Sequence, residues 1–160
     1  MPTLFDNAGA KIGSIIPYTS SVAPVGYLVC DGSTVNRSTY SKLYAVVGNA
    51  YGAGDGSTTF HLPDFRGRFL RGYDSGAGND PDSSSRLASN SGGNTGNNVG
   101  SLQADQVYSH THLFNNSGGV GNAVSGTQVG YQSYGQAATS SYGGNETRPK
   151  NVTVNYLIKW

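Results

Sequence analysis

The stretch His61-Leu62-Pro63-Asp64-Phe65-Arg66-Gly67-Arg68-Phe69-Leu70-Arg71-Gly72 decides how this chain reads. Aromatic and aliphatic side chains interleave there with one carboxylate and three guanidiniums. Such spacing suits a turn pinned by a carboxylate–guanidinium pair, because the planar guanidinium fork matches the two oxygens of a carboxylate. Asp64, Arg66 and Arg68 are therefore candidate structural residues. His61, which precedes Leu62 in this run and has no second histidine or cysteine beside it to partner in ligation, reads as structural as well.

Upstream, Ile12-Gly13-Ser14-Ile15-Ile16 and Gly26-Tyr27-Leu28-Val29-Cys30 predict two short strands in a hairpin-like unit, separated by a polar turn region that holds Pro17 and Pro24. Cys30 is the single cysteine, so no internal disulfide is available, and its apolar setting marks it as a small buried hydrophobe. Ser38 reads as the N-cap of one short amphipathic helix. Tyr40, Leu43, Tyr44 and Val47 follow at helical spacing, facing the core, and Gly48 with Asn49 closes the pattern. The glycine-rich run from Tyr51 to Phe60 resembles a phosphate-cradling loop only in composition: no lysine of the required motif follows and no strand leads into it.

Downstream, Tyr73 to Gly100 is almost wholly Gly, Ser, Asn and Asp, a composition that buries too little apolar surface to offset the entropy of ordering. It predicts a long loop or linker, in an elongated molecule or ordered by neighbouring chains. A second polar, glycine-rich region, Asn115 to Asn145, carries Tyr131, Tyr134 and Tyr142, and Val152 to Trp160 is a clear β pattern. With 24 glycines and an apolar share of 36%, the core should be thin and the fold mainly β, with one short α-helix and long Gly/Ser/Asn-rich loops. The formal charge is +1 and the basic residues are scattered singly, which argues against a nucleic-acid partner. No window approaches the ~20 apolar residues of a membrane span, and no charged-then-apolar leader precedes Lys11, so neither membrane insertion nor a secretion signal is expected.

Several of these segments together resemble the phage tail-collar domain of tail fibres. The resemblance rests on Ile12 to Pro17, the Gly26–Gly32 turn, the helix after Ser38, and Gly54–Phe60 leading into Leu62-Pro63-Asp64-Phe65-Arg66-Gly67-Arg68-Phe69. Ser109-His110-Thr111-His112 and Glu146-Thr147-Arg148-Pro149-Lys150-Asn151, followed by the terminal strand, are similar to the tips of short and long tail fibres of T-even phages. The chain then divides into a lead-in at 1–11, a collar domain at 12–72, a glycine-rich loop or linker at 73–105, and a metal- and receptor-binding tip at 106–160.

The resemblance implies an elongated, intertwined homotrimer in which paired histidines from three chains hold a metal on the threefold axis. The chemistry of the residues is compatible. On an extended strand His110 and His112 project to one face, and three copies would bring six imidazole nitrogens, a closed octahedral set suited to iron(II) or zinc and to a structural role. One such pair fits one ion per trimer. The loop beyond it, through Tyr131, Tyr134 and Tyr142, would carry the receptor surface, since tyrosine with Ser, Gly and Asn gives broad contact area and adaptable hydrogen bonding. Lipopolysaccharide and an outer-membrane protein suit it equally. Glu146 and Arg148 read as an assembly pair between chains.

The expected function is host-surface adsorption at the distal end of a tail fibre in the virion, alongside other fibre components. Two alternatives are a polysaccharide-cleaving tip and a purely structural collar or spacer. Against the first, no two of Asp31, Asp64, Asp74, Asp80, Asp82, Asp105 and Glu146 form a recognisable acid pair, so no enzyme is expected. Against the second, a strand running to Trp160 reads as a terminal tip.

Overall fold

The computed structural model describes residues 9–107, 109, 111 and 148–160. In chain order its elements are β1 (Ile15–Tyr18), β2 (Tyr27–Val29), β3 (Thr34–Asn36), α1 (Ser41–Val47), β4 (Thr59–His61), a single 3-10 turn (Ser83–Ser85), β5 (Leu87–Ala88), β6 (Ser101–Leu102) and β7 (Asn155–Lys159). Among the described residues the fold is mainly strand with a single α-helix, as the composition implies. Residues to Ala104 together with Asn151–Trp160 form one compact unit, and Asp105–Lys150 forms a second.

The first two strands do not make a hairpin. β7 enters between them, giving the sheet order β1-β7-β2 with both pairings antiparallel. Ile158 lies opposite Ile15 on one side and Leu28 on the other, and Leu157 lies opposite Ile16 and Val29. Neighbouring residues on a strand point to opposite faces, and Leu157 and Ile158 are 0% and 1% exposed, so β7 is covered on both faces. Its backbone is paired on both edges as well, to β1 and to β2. The outer place suits β1, because Pro17 has no N–H to give and a proline is tolerated on an edge.

Ile158 joins Cys30, Leu43, Phe60 and Leu62 in the core cluster. The helical stripe arrives there as expected: Leu43 is fully buried, and Tyr40, Tyr44 and Val47 pack around it. Rings extend the core outward, with Tyr156 edge-on to Phe65 at 5.8 Å, Phe65 edge-on to Tyr51 at 5.9 Å, and Tyr40 edge-on to Trp160 at 5.1 Å. Cys30 is inert packing. Burial, reinforced by the neighbouring Asp31 carboxylate, pushes its thiol up to about 12, far from thiolate chemistry at neutral pH.

Ser38 is not the helix cap. Its N–H and hydroxyl both donate to the Asn36 side-chain oxygen, at 2.8 and 2.7 Å, while the Asn36 carbonyl accepts from Tyr40 N–H at 3.1 Å. The carboxamide thus organises the turn before the helix, which begins at Ser41 with Tyr40 in the cap position. At the other end Gly48 donates to the Tyr44 carbonyl at 2.7 Å, closing the helix where the sequence predicts.

The segment read as a linker is folded onto the rest of its compact unit. β5 pairs with β6, and the loop between them binds residues 50–53 through Ala53 N–H to Ser91 O at 3.0 Å, Asn94 N–H to Ala50 O at 3.0 Å and the Asn90 amide to Tyr51 O at 2.9 Å. Polar bonds supply the ordering energy that apolar burial does not. Close backbone approach makes them possible: a Cβ on Gly100, whose φ is +94°, would sit 2.5 Å from the Ala50 carbonyl oxygen. Gly100→Ala is accordingly expected to cost about 2 kcal/mol by combining positive-φ strain with that clash. A urea unfolding midpoint unchanged from the parent protein would contradict this packing.

Candidate functional site

The Asp64 turn is built by backbone pairing first. After β4, Gly32 N–H donates to Pro63 O and Phe65 N–H to Cys30 O, both at 3.0 Å, which sets Asp31 opposite Asp64. Gly32, with φ +77°, leaves room that a side chain would fill, since a Cβ there would lie 3.0 Å from the Asp64 Cβ. Into that space the Asp64 carboxylate turns to meet Arg66. Nε donates to one oxygen at 2.9 Å and Nη2 to the other at 2.8 Å, with the Arg66 backbone N–H adding 3.2 Å. Arg68 serves the same turn differently, donating Nη1 to the Asp64 backbone carbonyl at 3.0 Å. The expected carboxylate–guanidinium clasp is therefore present, with Arg66 as the bidentate partner.

The Arg66 hydrogen bond holds the Asp64 carboxyl below its usual range, and Asp64 raises Arg66 in return. Because the Arg66 side chain is largely in solvent, the pair fixes geometry more than it adds stability. Its chemistry argues against acid catalysis. Asp31 and Asp64 face each other, but a glycoside-cleaving pair needs one carboxyl held protonated, and Asp64 is shifted the opposite way. Asp31 is itself occupied by the backbone N–H and the hydroxyl of Ser33. His61, read as structural, bonds through Nδ1 to Gly32 O at 3.0 Å, so that nitrogen carries the proton.

A second cluster escaped the sequence reading. Asp80, only 7% exposed, lies between Arg86 Nη1 at 3.3 Å and Arg71 Nη2 at 3.4 Å. Arg86 spends its remaining donors on Gln103 Oε1 at 2.6 Å, Ser101 Oγ at 3.0 Å and Ser101 O at 3.1 Å. Asp74 binds the same loop from below, accepting the backbone N–H groups of Gly78, Asn79 and Asp80 at 3.0, 2.7 and 3.1 Å. A signal was available in the sequence: Arg86 is the one base among the carboxylates of positions 74–100, the residue needed to gather them. A buried carboxylate with two guanidinium partners is a register device for a segment with little apolar content.

Directly after the Asp64 clasp, Phe69, Leu70 and Tyr73 are 64%, 47% and 54% exposed, and residues 69–73 make no backbone–backbone hydrogen bond with another described residue. This apolar surface was not anticipated. Of the residues singled out earlier, Asp64, Arg66 and Arg68 come together, and Arg148 is described and has an interaction partner. His110, His112, Tyr131, Tyr134, Tyr142 and Glu146 lie outside the described residues. Among the described residues no cluster of three metal-ligating side chains occurs, and no helix is long and apolar enough to cross a membrane.

Comparison with known proteins agrees with this geometry. The family model for the Phage Tail Collar Domain matches residues 13–70, the span from the first edge strand through the Asp64 clasp. Protein RhiB of Rhizobium leguminosarum bv. viciae is 36% identical, over 99% of this chain and 90% of its own length. The uncharacterized protein StfE of Escherichia coli (strain K12) is 26% identical, over 98% of this chain and 91% of its own length.

Acid should test the clasp. Asp64 is lowered chiefly by Arg66, Asp74 by the Gly78 N–H and its neighbours, and Asp55 by the Thr58 hydroxyl and the N–H groups of Ser57, Thr59 and Thr58. All three release protons more readily folded than unfolded, so their stabilisation is complete above the ordinary carboxylate value of 3.8 and is lost as pH falls below it. Urea midpoints measured from pH 7 to pH 2 should hold steady and then drop in the acid range. Asp64→Asn should lower the neutral midpoint and flatten part of that drop, whereas a variant with the parent's acid slope would count against the clasp.

Proposed function

We propose that this chain, which carries a phage tail-collar domain at residues 13–70, is a virion-associated, tail-fibre-related protein and a receptor-binding tip working as a homotrimer. The observation that carries the reading is connectivity. The chain leaves the collar unit after Ala104, runs through Asp105–Lys150, and returns at Asn151 to supply the strand at the centre of the collar sheet. A tyrosine-bearing, Gly/Ser/Asn-rich insertion between two parts of one compact unit is the arrangement by which scaffolds present binding loops.

Tyr131, Tyr134 and Tyr142 are the contact residues in this reading, and the receptor is lipopolysaccharide or an outer-membrane protein. Association of three copies is supported by a core of few fully buried side chains beside the exposed Phe69, Leu70 and Tyr73. His110 and His112 from each copy supply six nitrogens to one iron(II) or zinc ion, and Glu146 with Arg148 sets the register between chains. Binding without catalysis is favoured because Asp64 is clasped by Arg66 and Asp31 is engaged by Ser33.

Two measurements test the proposal. Native mass spectrometry with elemental analysis is expected to find three chains and one iron or zinc, and the joint His110→Ala and His112→Ala variant should lose the ion; a metal-free monomer would contradict the assembly. Labelled protein should bind cells of a susceptible bacterium, and replacing Tyr131 and Tyr134 by alanine should weaken binding by about tenfold or more without altering subunit number. Undiminished binding would move the contact surface elsewhere.

A further inference from the structure

In β1-β7-β2 the strand at the centre follows both flanking strands in chain order, and the flanking strands are not paired with each other. Adjacent strands sit about 4.8 Å apart, so removing β7 leaves β1 and β2 separated by roughly twice that distance, beyond hydrogen-bonding range. The ladder bonds at stake include Gly13 N–H to Lys159 O, Lys159 N–H to Ser14 O, Cys30 N–H to Tyr156 O and Trp160 N–H to Gly26 O. The core at stake includes Ile158 itself, the Tyr156 ring against Phe65 and the Trp160 ring against Tyr40. What remains is the β3–β4 pair against one short helix and the separate β5–β6 pair, with the three-stranded sheet and the Ile158 contribution to the core both lost.

We propose that the collar unit is gated by completion: it stays unfolded until the chain has been made through Lys159, so that no chain interrupted between Asp105 and Lys150 acquires a collar. The gate follows from strand order alone. Its consequence for a fibre, that only chains carrying the entire insertion are offered for assembly, rests on the function proposed above. Closure over the long span between β2 and β7 also makes the pairing slow relative to local elements, since loop closure precedes any reward from contact.

Ribosome-arrested chains of the full sequence test the gate directly. While residues 151–160 are held within the exit tunnel, protease should cut freely within residues 12–72, and once a C-terminal tether brings Lys159 outside, cleavage there should slow by at least about tenfold. In solution, a chain ending at Lys150 should show no cooperative unfolding transition. A synthetic peptide of residues 151–160 added in trans should restore protease resistance, whereas the same peptide with Leu157→Asp and Ile158→Asp should not. A chain in which residues 105–150 are replaced by a Gly-Ser linker should fold cooperatively, which separates the need for the strand from any need for the insertion. Equal protease resistance before and after residues 151–160 emerge, or a cooperative transition in the chain ending at Lys150 matching that of the full chain, would overturn the proposal. So would failure of both the peptide and the linker-bridged chain. Neither readout depends on receptor binding, so the gate and the proposed function can fail separately.

Discussion

Two neighbouring side chains, Leu157 and Ile158, face opposite sides of one strand and are both removed from water, and the strand that carries them is hydrogen-bonded on both edges in the middle of the sheet. Each such side chain contributes roughly 1.5–3 kcal/mol when buried. In a chain whose described core has few other fully buried apolar residues, that is a large part of what holds the fold. The remaining architecture adjusts to it: the first two strands become edges, Pro17 finds a place where its missing donor is harmless, and Tyr156 and Trp160 reach Phe65 and Tyr40 from either end of the strand.

Around this apolar centre the polar groups set position. Asp64 with Arg66 and Arg68 fixes the turn that leaves β4, and Asp80 with Arg71 and Arg86 gathers a stretch that has almost nothing hydrophobic to contribute. Arg71 and Asp64 lie in one continuous run of sequence, so both clusters are anchored to the same segment. The result is a compact unit from which the chain departs after Ala104 and to which it returns at Asn151.

Much of this was legible in the sequence where a local rule suffices. The helical stripe Tyr40, Leu43, Tyr44 and Val47, the burial of Cys30, the clasp at Asp64 and the strand before Trp160 each follow from spacing or residue type over a short window. Sequence order, by contrast, does not state strand order. Ile12–Ile16 and Gly26–Cys30 look like partners because they are close along the chain, whereas each pairs with β7, which lies between them. Ser38 looked like a cap because residue type alone cannot show that Asn36 already holds its hydroxyl. The stretch after Tyr73 looked like a long loop or linker because counting apolar residues omits the backbone bonds to residues 50–53 and the carboxylate–guanidinium network. The histidine and tyrosine readings concern assembly and recognition, which depend on neighbouring chains and receptors and not on any local pattern.

Hydrogen–deuterium exchange on the intact protein bears most directly on the central strand. The account predicts that the amides of Cys30, Lys159 and Trp160, which bond across the β1-β7-β2 sheet, exchange slowly and at one common rate set by opening of the whole collar unit. Rapid exchange at Lys159 and Trp160 while Cys30 stayed protected would mean that the terminal strand is an accessory and not the centre of the fold.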